Sequence, residues 1–446
     1  MKLNKIEDKF GIRAFSMDNS EIAEKIFIKT LKPYKFDIFV SEATNSYMKN
    51  SYIISIVIIS LMLTIGFASC TKDTNHNRNF AIAEEVLRDT ILQMAERNLS
   101  EVPITVTAAS CPRSAGGIHD FYSEGDYWWP DSTNLDGPYV RRDGITNPNN
   151  FNDHRRAVVR LSETIGNLTS AYVITKDRKY VDAVKTHLNA WFVNEETKMN
   201  PNLLYAQAIK GRHTGRGIGI IDAIHFMEVV QSMRILERDK LIDATALSKM
   251  KNWFGEFANW LTTHPYGKKE MIHPNNHGTC WNMQVGLFAR FTQNEEILTF
   301  CRDNYRNTIL PTQMAEDGSY PLEMARTKPY GYSLFNLDAM VMNCVILSDD
   351  TNNLWEYVSP KGRTIKMGLE YMQPYVEDKS QWPLAPDVMY WENWPVAHPS
   401  FMLAGAYFDR SDWIHLWSRN KHFLEVEEVR RNVPIRNPLL WLEELP

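Results

Sequence analysis

Residues 219–236 read GIIDAIHFMEVVQSMRIL, and in this segment apolar side chains recur at spacings of three and four residues. That spacing places the apolar side chains on one face of a helix. The pattern returns along most of the chain after residue 80, whereas sustained alternation of apolar and polar residues, which would indicate strands, does not occur. We therefore predict many helices and few strands. The predicted helices span residues 80–98, 154–175, 180–193, 219–236, 244–264, 283–292, 295–310, 333–348 and 354–373 (broken near 360–362), with short helices near 400–419.

This succession predicts an all-α fold of about ten helices in five pairs. Antiparallel pairs that are joined by loops and packed in a ring form an α/α toroid, an incomplete barrel of helix pairs. A helical-repeat solenoid is the alternative. No clear fixed repeat length is visible in the sequence, which disfavours the solenoid. We predict an α/α toroid with long loops lining a cleft.

The overall composition excludes several classes of protein. Of the 446 residues, 44% are hydrophobic and 23% are charged, which is ordinary for a globular chain and excludes disordered, collagen-like and multi-spanning membrane proteins. The net charge of −5 argues against a nucleic-acid binder. The 13 Trp and 19 Tyr residues suit either a protein core or the binding of sugar rings, and composition cannot choose between these.

Residues 52–68 form an uncharged apolar run, YIISIVIISLMLTIGFA. A run of about 17 residues is at the lower limit for crossing a bilayer and is also a normal signal-peptide core. Met48 and Lys49 precede it like a start residue and a short basic region, and the small residues ahead of Cys70 resemble a bacterial lipobox. We expect a lipoprotein signal peptide over 48–70, with Cys70 lipidated as the mature N-terminus. An uncleaved anchor is the alternative.

Residues 1–47 precede this better start, and we expect them to be absent from the mature protein. Residues 71–446 would then form a single toroid domain, with the N-terminal lipid as its only membrane contact. Such a protein would sit in the periplasm or on the outer membrane of a Gram-negative bacterium. The four cysteines in this part show no metal-binding spacing, and their disulfide connectivity cannot be deduced from sequence.

One connector, residues 111–153, interrupts the helical pattern and is rich in Gly, Pro, Asn, Asp and aromatic residues. A connector of this length inside a compact domain usually has a function. Its side chains Tyr127, Trp128 and Trp129 are predicted to line a cleft for sugars. The alternative is a surface loop whose aromatic rings pack on the domain.

The stretch His273-Pro-Asn-Asn-His-Gly-Thr-Cys-Trp brings two amides and two imidazoles onto a polar turn. One interpretation is that Asn275 and Asn276 cap a helix that begins near residue 281. A metal site built from His273 and His277 is another, but the proline between them weakens a shared helical face and the glutamate of an HExxH motif is missing. We predict no metal at this stretch.

Two further stretches carry cationic and phenolic groups. Arg326 precedes Tyr332 by six residues, and Tyr332 stands just ahead of the helix predicted from residue 333, so its hydroxyl is expected to face an open mouth. Arg212, His213 and Arg216 lie on Gly-rich backbone before another helix, an arrangement that suits an anion. The alternative is that the two arginines pair with carboxylates at the edge of the core.

The motifs NNHGTCW (275–281) and RTKPYGYSLFNL (326–337) together resemble the alginate lyase family of α/α-toroid polysaccharide lyases. GGIHDFYSEGDYWWP (116–130) and GRHTGRGIGI (211–220) resemble its toroid-only branch, which acts on alginate or glucuronan. The similarity runs from about residue 80 to 420. It implies a polysaccharide lyase with no cofactor and an anionic uronan as its partner.

The resemblance also implies which residues act. The catalytic set would be Asn276, His277, Arg326 and Tyr332, with Asn275 as the alternative to its neighbour. The expected substrate contacts are Asn275, Arg212, His213, Arg216, Tyr127, Trp128, Trp129, Trp281 and Tyr330.

These residue types fit a β-elimination. Removal of the C5 proton of a 4-linked uronic acid requires that the charge of its carboxylate be masked, a role that suits Asn276, His277 and Arg326. Tyr332 would act as the base, with Arg326 favouring its phenolate, and would then protonate O4. One residue does both only when H5 and O4 share a side of the ring. That holds for mannuronate and glucuronate but not for guluronate, unless His277 is a separate base.

Two other functions remain open at this stage. A glycoside hydrolase on a similar toroid would need two carboxylates across the cleft, for which Glu316, Asp317 and Glu323 are the candidates. A non-catalytic glycan-binding lipoprotein would need only the aromatic residues. The products separate these cases, because hydrolysis forms no double bond and a binding protein forms no product.

Overall fold

Helices account for more than half of residues 78–445, the part of the chain that this computed structural model describes. Sixteen α-helices are assigned within it, and the longer ones fall close to the positions that the apolar spacing predicts. Their bounds are α1 (78–98), α2 (Asp153–Thr175), α3 (Arg178–Phe192), α4 (Phe226–Arg238), α5 (Ala244–Thr263), α6 (Pro265–Met271), α7 (Asn276–Thr292), α8 (Glu295–Asn304), α9 (Leu310–Gln313), α10 (Pro321–Met324), α11 (Pro329–Leu347), α12 (Ile365–Glu377), α13 (Pro399–Tyr407), α14 (Ser411–Ser418), α15 (Glu427–Asn432) and α16 (Leu439–Leu442).

Five of these helices, α2, α4, α7, α11 and α13, contact one another in sequence around an inner ring. The short helix α16 contacts α13, α4 and α2, and so completes the circuit. Each inner helix except α4 packs against the helix that follows it on the outside, and the outer helix α5 packs on α7 and α3. This is an α/α toroid, which confirms the predicted fold class.

The inner helices α11 and α13 are apolar on nearly all sides because other parts of the protein surround them. Every residue of α11 is buried, including its two tyrosines. Between the inner and outer layers an aromatic cluster fills the space, with ring centroids 4.8 Å apart for Phe192 and Trp253 and 5.7 Å apart for Phe226 and Trp253. Such contacts exclude water from the wall of the toroid and make it a rigid support for the loops at its mouth.

The helices α7 and α11 run parallel through the ring. The side chain of Asn343 in α11 donates to the carbonyl of Thr279 in α7, and farther along both helices the side chain of Arg290 donates to the carbonyl of Ile346. Contacts therefore advance in the same direction along both helices. As a result, both helices begin at the same end of the toroid, where their amino-terminal backbone dipoles favour a negatively charged group.

Within residues 78–445, strand structure is confined to four short segments, in agreement with the missing alternation in the sequence. β1 (Tyr122–Glu124) pairs in parallel with β4 (Tyr205–Ala208), and β2 (Trp128–Trp129) pairs antiparallel with β3 (Val140–Arg141). Short 3-10 turns cover Val106–Ala108, Gly217–Ala223, Lys379–Gln381 and Trp391–Asn393, and a π-helical turn covers Tyr305–Ile309.

Four helices differ at their boundaries from the sequence prediction. Residues 354–364 are not helical, because the Pro-Lys-Gly break ends the pattern there, and only α12 forms. The segment 219–236 begins as the 3-10 turn Gly217–Ala223 before α4. Helices α7 and α11 each begin earlier than their apolar periodicity indicates, and these two differences concern the functional site.

The predicted export signal lies outside the described residues. Residues 1–47, the signal peptide over 48–70 and the lipidation of Cys70 therefore stay predictions. Of the helices in 78–445, none is long and apolar enough to span a bilayer. The described cysteines are all free thiols, and Cys280, Cys301 and Cys344 are buried.

Candidate active site

A cavity of about 430 Å³ opens where helices α7 and α11 begin. Asn276, His277, Arg326 and Tyr332, the four residues predicted to be catalytic, all line it. The sequence placed them in two separate motifs, and the parallel packing of α7 and α11 brings these motifs to one mouth. The wall opposite them comes from the loop before α2 and from distant segments, and includes Asp126, Tyr127, Trp128, Arg141, Arg216 and Arg431.

The Asn-Asn-His-Gly motif forms the first turn of α7 rather than a polar turn ahead of the helix. Asn275 is the capping residue, and its side-chain oxygen accepts a hydrogen bond from the backbone N–H of His277 at 3.3 Å. Asn276 and His277 are already helical. Gly278 follows because a side chain there would collide with the carbonyl of His273. The polar first turn has no apolar periodicity, which is why the sequence placed the start of this helix too late.

The imidazole of His277 is held by a buried carboxylate. Its Nδ1 lies 2.5 Å from Oε1 of Glu270, whose side chain is 1% exposed. An ionised carboxylate can only accept, so the ring carries its hydrogen on Nδ1. Nε2 is therefore the atom of His277 that is available to a substrate in the cavity.

Asn276 is oriented by a second buried carboxylate, that of Glu323. The backbone N–H and the side-chain amide of Asn276 each donate to Glu323 at 2.7 Å. Burial raises the pKa of Glu323, and the hydrogen bonds from Asn276 oppose that effect. An amide nitrogen has two hydrogens, so one remains for a ligand while Glu323 holds the other.

Tyr332 is the fourth residue of α11 and lies in its first turn, not ahead of the helix as predicted. The carboxylate of Asp387 accepts hydrogen bonds from the backbone N–H groups of Tyr330 and Gly331, and it thereby fixes this first turn. The side chain of Tyr332 is almost buried, at 7% exposure, but its edge faces the cavity.

Arg326 lies over the ring of Tyr332. Its guanidinium carbon is 4.5 Å from the ring centroid, and Nη2 is 3.5 Å from the phenol oxygen. Burial raises the pKa of Tyr332 to about 12, although the positive charge of Arg326 and a hydrogen bond from Tyr127 lower it. The sequence predicted only the lowering by Arg326. Burial outweighs it because a phenolate is costly to remove from water.

Asp143 on the loop before α2 holds the other side of Arg326. Its carboxylate accepts from Nη2 of Arg326 at 3.2 Å and also pairs with Arg141. Burial raises the pKa of Asp143, but the hydrogen bond and the charge of Arg326 outweigh burial. The net effect is a pKa below the ordinary value for aspartate. The connector formed by residues 111–153 therefore contributes both this ion pair and its aromatic residues to the site.

Arg216 is the cationic side chain in the cavity wall that the structure leaves without a carboxylate. It donates to the backbone and side-chain oxygens of Gln207, and within 78–445 it forms no ion pair. Burial lowers its pKa to about 10, so it remains charged at neutral pH. The carboxylate pairing that was the alternative from sequence is not seen for Arg216. An unpaired guanidinium in a polar cavity favours an anionic ligand.

Some of the residues around Arg216 line the cavity, and others lie on the outer surface. Trp128 lines the cavity, and the guanidinium carbons of Arg212 and Arg216 lie 5.5 and 5.8 Å from its ring centroid. Arg212 and His213 are exposed and do not line the cavity. They could contact only those parts of a substrate that extend beyond the rim of the cavity. The indole nitrogen of Trp129 donates to the carbonyl of Ile145, and its ring also lies outside the lining.

Two predicted substrate contacts are wrong. Trp281 is fully buried in the core, where its indole nitrogen donates to the carbonyl of Leu261. Tyr330 is fully buried on the side of α11 away from the cavity, and its hydroxyl donates to the carbonyl of Tyr375. Each belongs to a motif that lines the site, but helical rotation turns its side chain into the protein.

Several residues at the site were not predicted from sequence. Glu270, Asp143 and Lys328 contact the predicted residues His277, Arg326 and Tyr127, respectively. Glu428 binds Lys328, and Glu323 was assigned only to a hydrolase. Acidic and basic residues are usually exposed, so no local pattern marks these as buried. For Lys328, its place inside the RTKPYGY motif was a signal that we did not use.

The described part of the chain holds no group of three or more His, Cys, Asp and Glu side chains arranged to bind a metal. His273 and His277 do lie close, with ring centroids 5.0 Å apart. However, Nδ1 of His277 is already occupied by Glu270, and burial together with the neighbouring His277 lowers the pKa of His273.

Comparisons with known proteins place the chain in a family. The family model described as alginate lyase matches residues 105–382, which is more than half of the chain. A search of curated proteins found no significant match. Among solved structures, an alginate lyase from Bacteroides ovatus superposes with a TM-score of 0.70 at 29% sequence identity, over 82% of this chain and 97% of that one.

A more distant structure shares the fold. A histidine-to-alanine variant of alginate lyase A1-III, in complex with a tetrasaccharide, superposes with a TM-score of 0.53 at 14% identity. The match covers 77% of this chain and 88% of the other, which comes from Sphingomonas species A1.

Proposed function

We propose a mechanism and a substrate preference for this chain, which belongs to the alginate lyase family and is a polysaccharide lyase acting on alginate-like polymers. The proposed reaction is a syn β-elimination of mannuronate- or glucuronate-containing uronans, in which Tyr332 is both base and acid. The observation that carries the proposal is the meeting of Asn276, His277, Arg326 and Tyr332 in one cavity at the amino-terminal ends of two parallel helices.

The carboxylate of the reacting sugar would be held by hydrogen-bond donors. Asn276 has one amide hydrogen left after binding Glu323, and a protonated His277 would offer Nε2–H while Nδ1 is held by Glu270. The helix dipoles of α7 and α11 point their positive ends to the same place. These groups stabilise the charge that develops on the carboxylate as the C5 proton leaves.

Tyr332 would accept the proton from C5 and then donate it to O4. As a phenolate it takes hydrogen from C5, and the electron pair of that bond forms the C4–C5 double bond. The C4–O4 bond then breaks, and the leaving O4 receives the proton from the same phenol. Arg326 at 3.5 Å from the phenol oxygen stabilises the phenolate before the proton is taken.

This single-residue scheme requires that H5 and O4 lie on the same side of the sugar ring. Mannuronate and glucuronate meet that condition, and guluronate does not. We therefore propose a preference for polymannuronate or glucuronan. Cleavage of guluronate would need a second base, and His277 would have to be neutral to supply it through Nε2.

The positions of the acidic residues disfavour a glycoside hydrolase. Glu316 and Asp317 are exposed residues on the turn before α10, and neither lines the cavity. Glu323 is buried and is occupied by its bonds to Asn276. The acids that do line the cavity, Asp126 and Asp222, lie close to the buried Arg155. A pair of free carboxylates facing each other across the site is therefore missing from the described lining.

The test uses Tyr332→Phe in the full chain with polymannuronate, polyguluronate and glucuronan as separate substrates. The unmodified protein should release products with the ultraviolet absorbance of a C4–C5 double bond from polymannuronate or glucuronan. The variant should fold and release about 100- to 10,000-fold less. Tyr305→Phe, which removes a buried hydroxyl bonded to Cys344, is the matched control. Near-normal activity of Tyr332→Phe, or activity on polyguluronate alone, would contradict the proposal.

We also propose that the protein is exported and anchored by a lipid on Cys70, which rests on the sequence of residues 48–70 alone. Mass spectrometry of the N-terminal peptide from a Gram-negative host tests it. A lipid-modified Cys70 at the N-terminus is the expected result, and an intact peptide across residues 69 and 70 would contradict it.

A further inference from the structure

We infer that Tyr127 is a positioning residue that donates a hydrogen bond to Tyr332 and holds it as the hydrogen-accepting partner. The sequence predicted Tyr127 only as a sugar contact. This inference rests on the proposed role of Tyr332 as the base, and it assigns to Tyr127 a function that acts through that residue.

The two hydroxyl oxygens lie 2.7 Å apart, which is the ordinary length of an O–H···O hydrogen bond. Distance alone does not say which of the two donates. Each phenol accepts from a cation that can only donate: Tyr127 from Nζ of Lys328 at 3.3 Å, and Tyr332 from Nη2 of Arg326 at 3.5 Å. Because Lys328 is the nearer of the two donors, we assign the hydrogen between the phenols to Tyr127, directed to Tyr332.

Lys328 is itself fixed in place. Its Nζ lies 2.6 Å from Oε1 of Glu428, and both side chains are 4% exposed. Arg431 also pairs with Glu428, at 3.2 Å. A buried ion pair keeps one geometry, so Lys328 donates to Tyr127 from a constant direction. The chain of donation therefore runs from Lys328 to Tyr127 and from Tyr127 to Tyr332.

The charged surroundings make the two phenols unequal. Burial and the charge of Glu428 raise the pKa of Tyr127 well above the ordinary value for tyrosine. For Tyr332, burial raises the pKa, but Arg326 and the bond from Tyr127 lower it. Of the two phenols, Tyr332 is therefore the one that ionises at the lower pH. The ionisable groups that face the Tyr332 hydroxyl are Tyr127, Arg326, Lys328, Glu428 and Arg431.

A donated hydrogen bond stabilises a phenolate in a site from which water is mostly excluded. Hydrogen bonds to charged groups are roughly twice as strong as neutral ones. Without Tyr127, the hydroxyl of Tyr332 would lose its closest donor, and Arg326 at 3.5 Å would be left to stabilise the charge. The fraction of Tyr332 that is ionised would fall, and the rate of proton removal would fall with it.

The experiment compares Tyr127→Phe with the unmodified full chain on polymannuronate over pH 6–10. We expect kcat to fall by about 10- to 100-fold on the rising part of the pH profile, with KM nearly unchanged. The matched control is Tyr305→Phe, for which both constants should stay the same. If Tyr127→Phe instead raises KM and leaves kcat and the profile unchanged, Tyr127 only binds sugar and the inference is overturned.

A second readout measures the ionised fraction of Tyr332 without a substrate. Tetranitromethane nitrates phenolates, and peptide mapping by mass spectrometry follows each tyrosine separately. In Tyr127→Phe, nitration of Tyr332 should slow by about 10- to 100-fold, even though the smaller side chain opens access to it. Equal or faster nitration of Tyr332 in this variant would overturn the inference.

The unmodified protein provides the same test if Tyr127→Phe does not fold. Tyr332 should be nitrated faster than Tyr127, although Tyr332 is the more buried of the two. Faster nitration of Tyr127 would mean that the hydrogen bond runs the other way. An active Tyr332→Phe would contradict the proposed function, whereas an inactive Tyr332→Phe beside a fully normal Tyr127→Phe would contradict this inference alone.

Discussion

The carboxylate of Glu270 accepts the Nδ1 hydrogen of His277 at 2.5 Å, from a position almost completely shielded from solvent. Glu270 lies in the short helix α6 and His277 in the first turn of α7, so the contact joins the two sides of the HPNN turn. It leaves Nε2 as the functional atom of the ring. The role of His277 therefore depends on a residue that never reaches the substrate.

Replacing Glu270 with Gln should disturb that role. A glutamine amide can donate to Nδ1 and reverse which ring nitrogen carries the hydrogen. We expect kcat on polymannuronate to fall by about 100- to 10,000-fold, the upper end being the loss that follows when a catalytic histidine loses its orienting carboxylate. Glu256→Gln, on the exposed face of α5, is the control. An unchanged kcat in Glu270→Gln would mean that the orientation of His277 is not required.

The activity should rise with pH. With the pKa of Tyr332 raised to about 12 by burial, only a small fraction of this group is ionised at neutral pH. Below the pKa, that fraction grows about tenfold for each unit of rising pH, so kcat/KM should increase by up to about 1,000-fold between pH 6 and 9. Initial rates of double-bond formation in buffers of constant ionic strength measure this slope. A profile that is flat over this range would argue against Tyr332 as the base.

Arg216 should contribute to substrate affinity. Its guanidinium lines the cavity without a carboxylate partner among the described residues, and Arg216→Met would remove its charge but keep much of its length. We expect KM to rise by about 10- to 100-fold with a smaller change in kcat, as for the loss of a charged hydrogen bond to bound substrate. Arg212→Met is the matched comparison, because Arg212 lies against the same Trp128 ring but outside the cavity lining. Equal effects of the two substitutions would contradict this assignment.

The buried ion network behind the cavity should support the fold. Asp126 is 5% exposed and pairs with Arg155 and Arg431. Replacing it with Asn leaves two buried cations with fewer partners, and we expect a loss of about 3 kcal/mol in the free energy of unfolding. Denaturant unfolding measures the loss. Asp136→Asn, an exposed change on the same loop, should cost less than about 0.5 kcal/mol.

The pH dependence of that stability has a definite sign. Burial raises the pKa of Asp126, but the charges of Arg155 and Arg431 outweigh it and hold the pKa far below the usual range. A depressed pKa in the folded state stabilises the protein above the unfolded pKa of about 3.9, and this contribution is lost as the pH falls below that value. The difference between the unmodified chain and Asp126→Asn should therefore shrink in acid.

The helices could be predicted from sequence because each one depends on local spacing. The inner helix α4 and the outer helices α3 and α5 appear in the sequence as repeats of three and four apolar residues, with errors only at their ends. The starts of α7 and α11 were placed too late because their first turns carry polar residues that serve the site. The pattern that marks a helix is interrupted where function requires other side chains.

The sequence by itself determined the helical class of the chain and the residue types of the site: the amides and imidazole of NNH, and the arginine and phenol of RTKPYGY. Only the tertiary structure decided which of their neighbours face the cavity, so that Trp281 and Tyr330 are core residues whereas Glu270, Asp143 and Lys328 belong to the site. The reason is physical. Helix formation follows from contacts three and four residues apart, but the environment of a buried charge is set by groups that the chain brings together from distant positions.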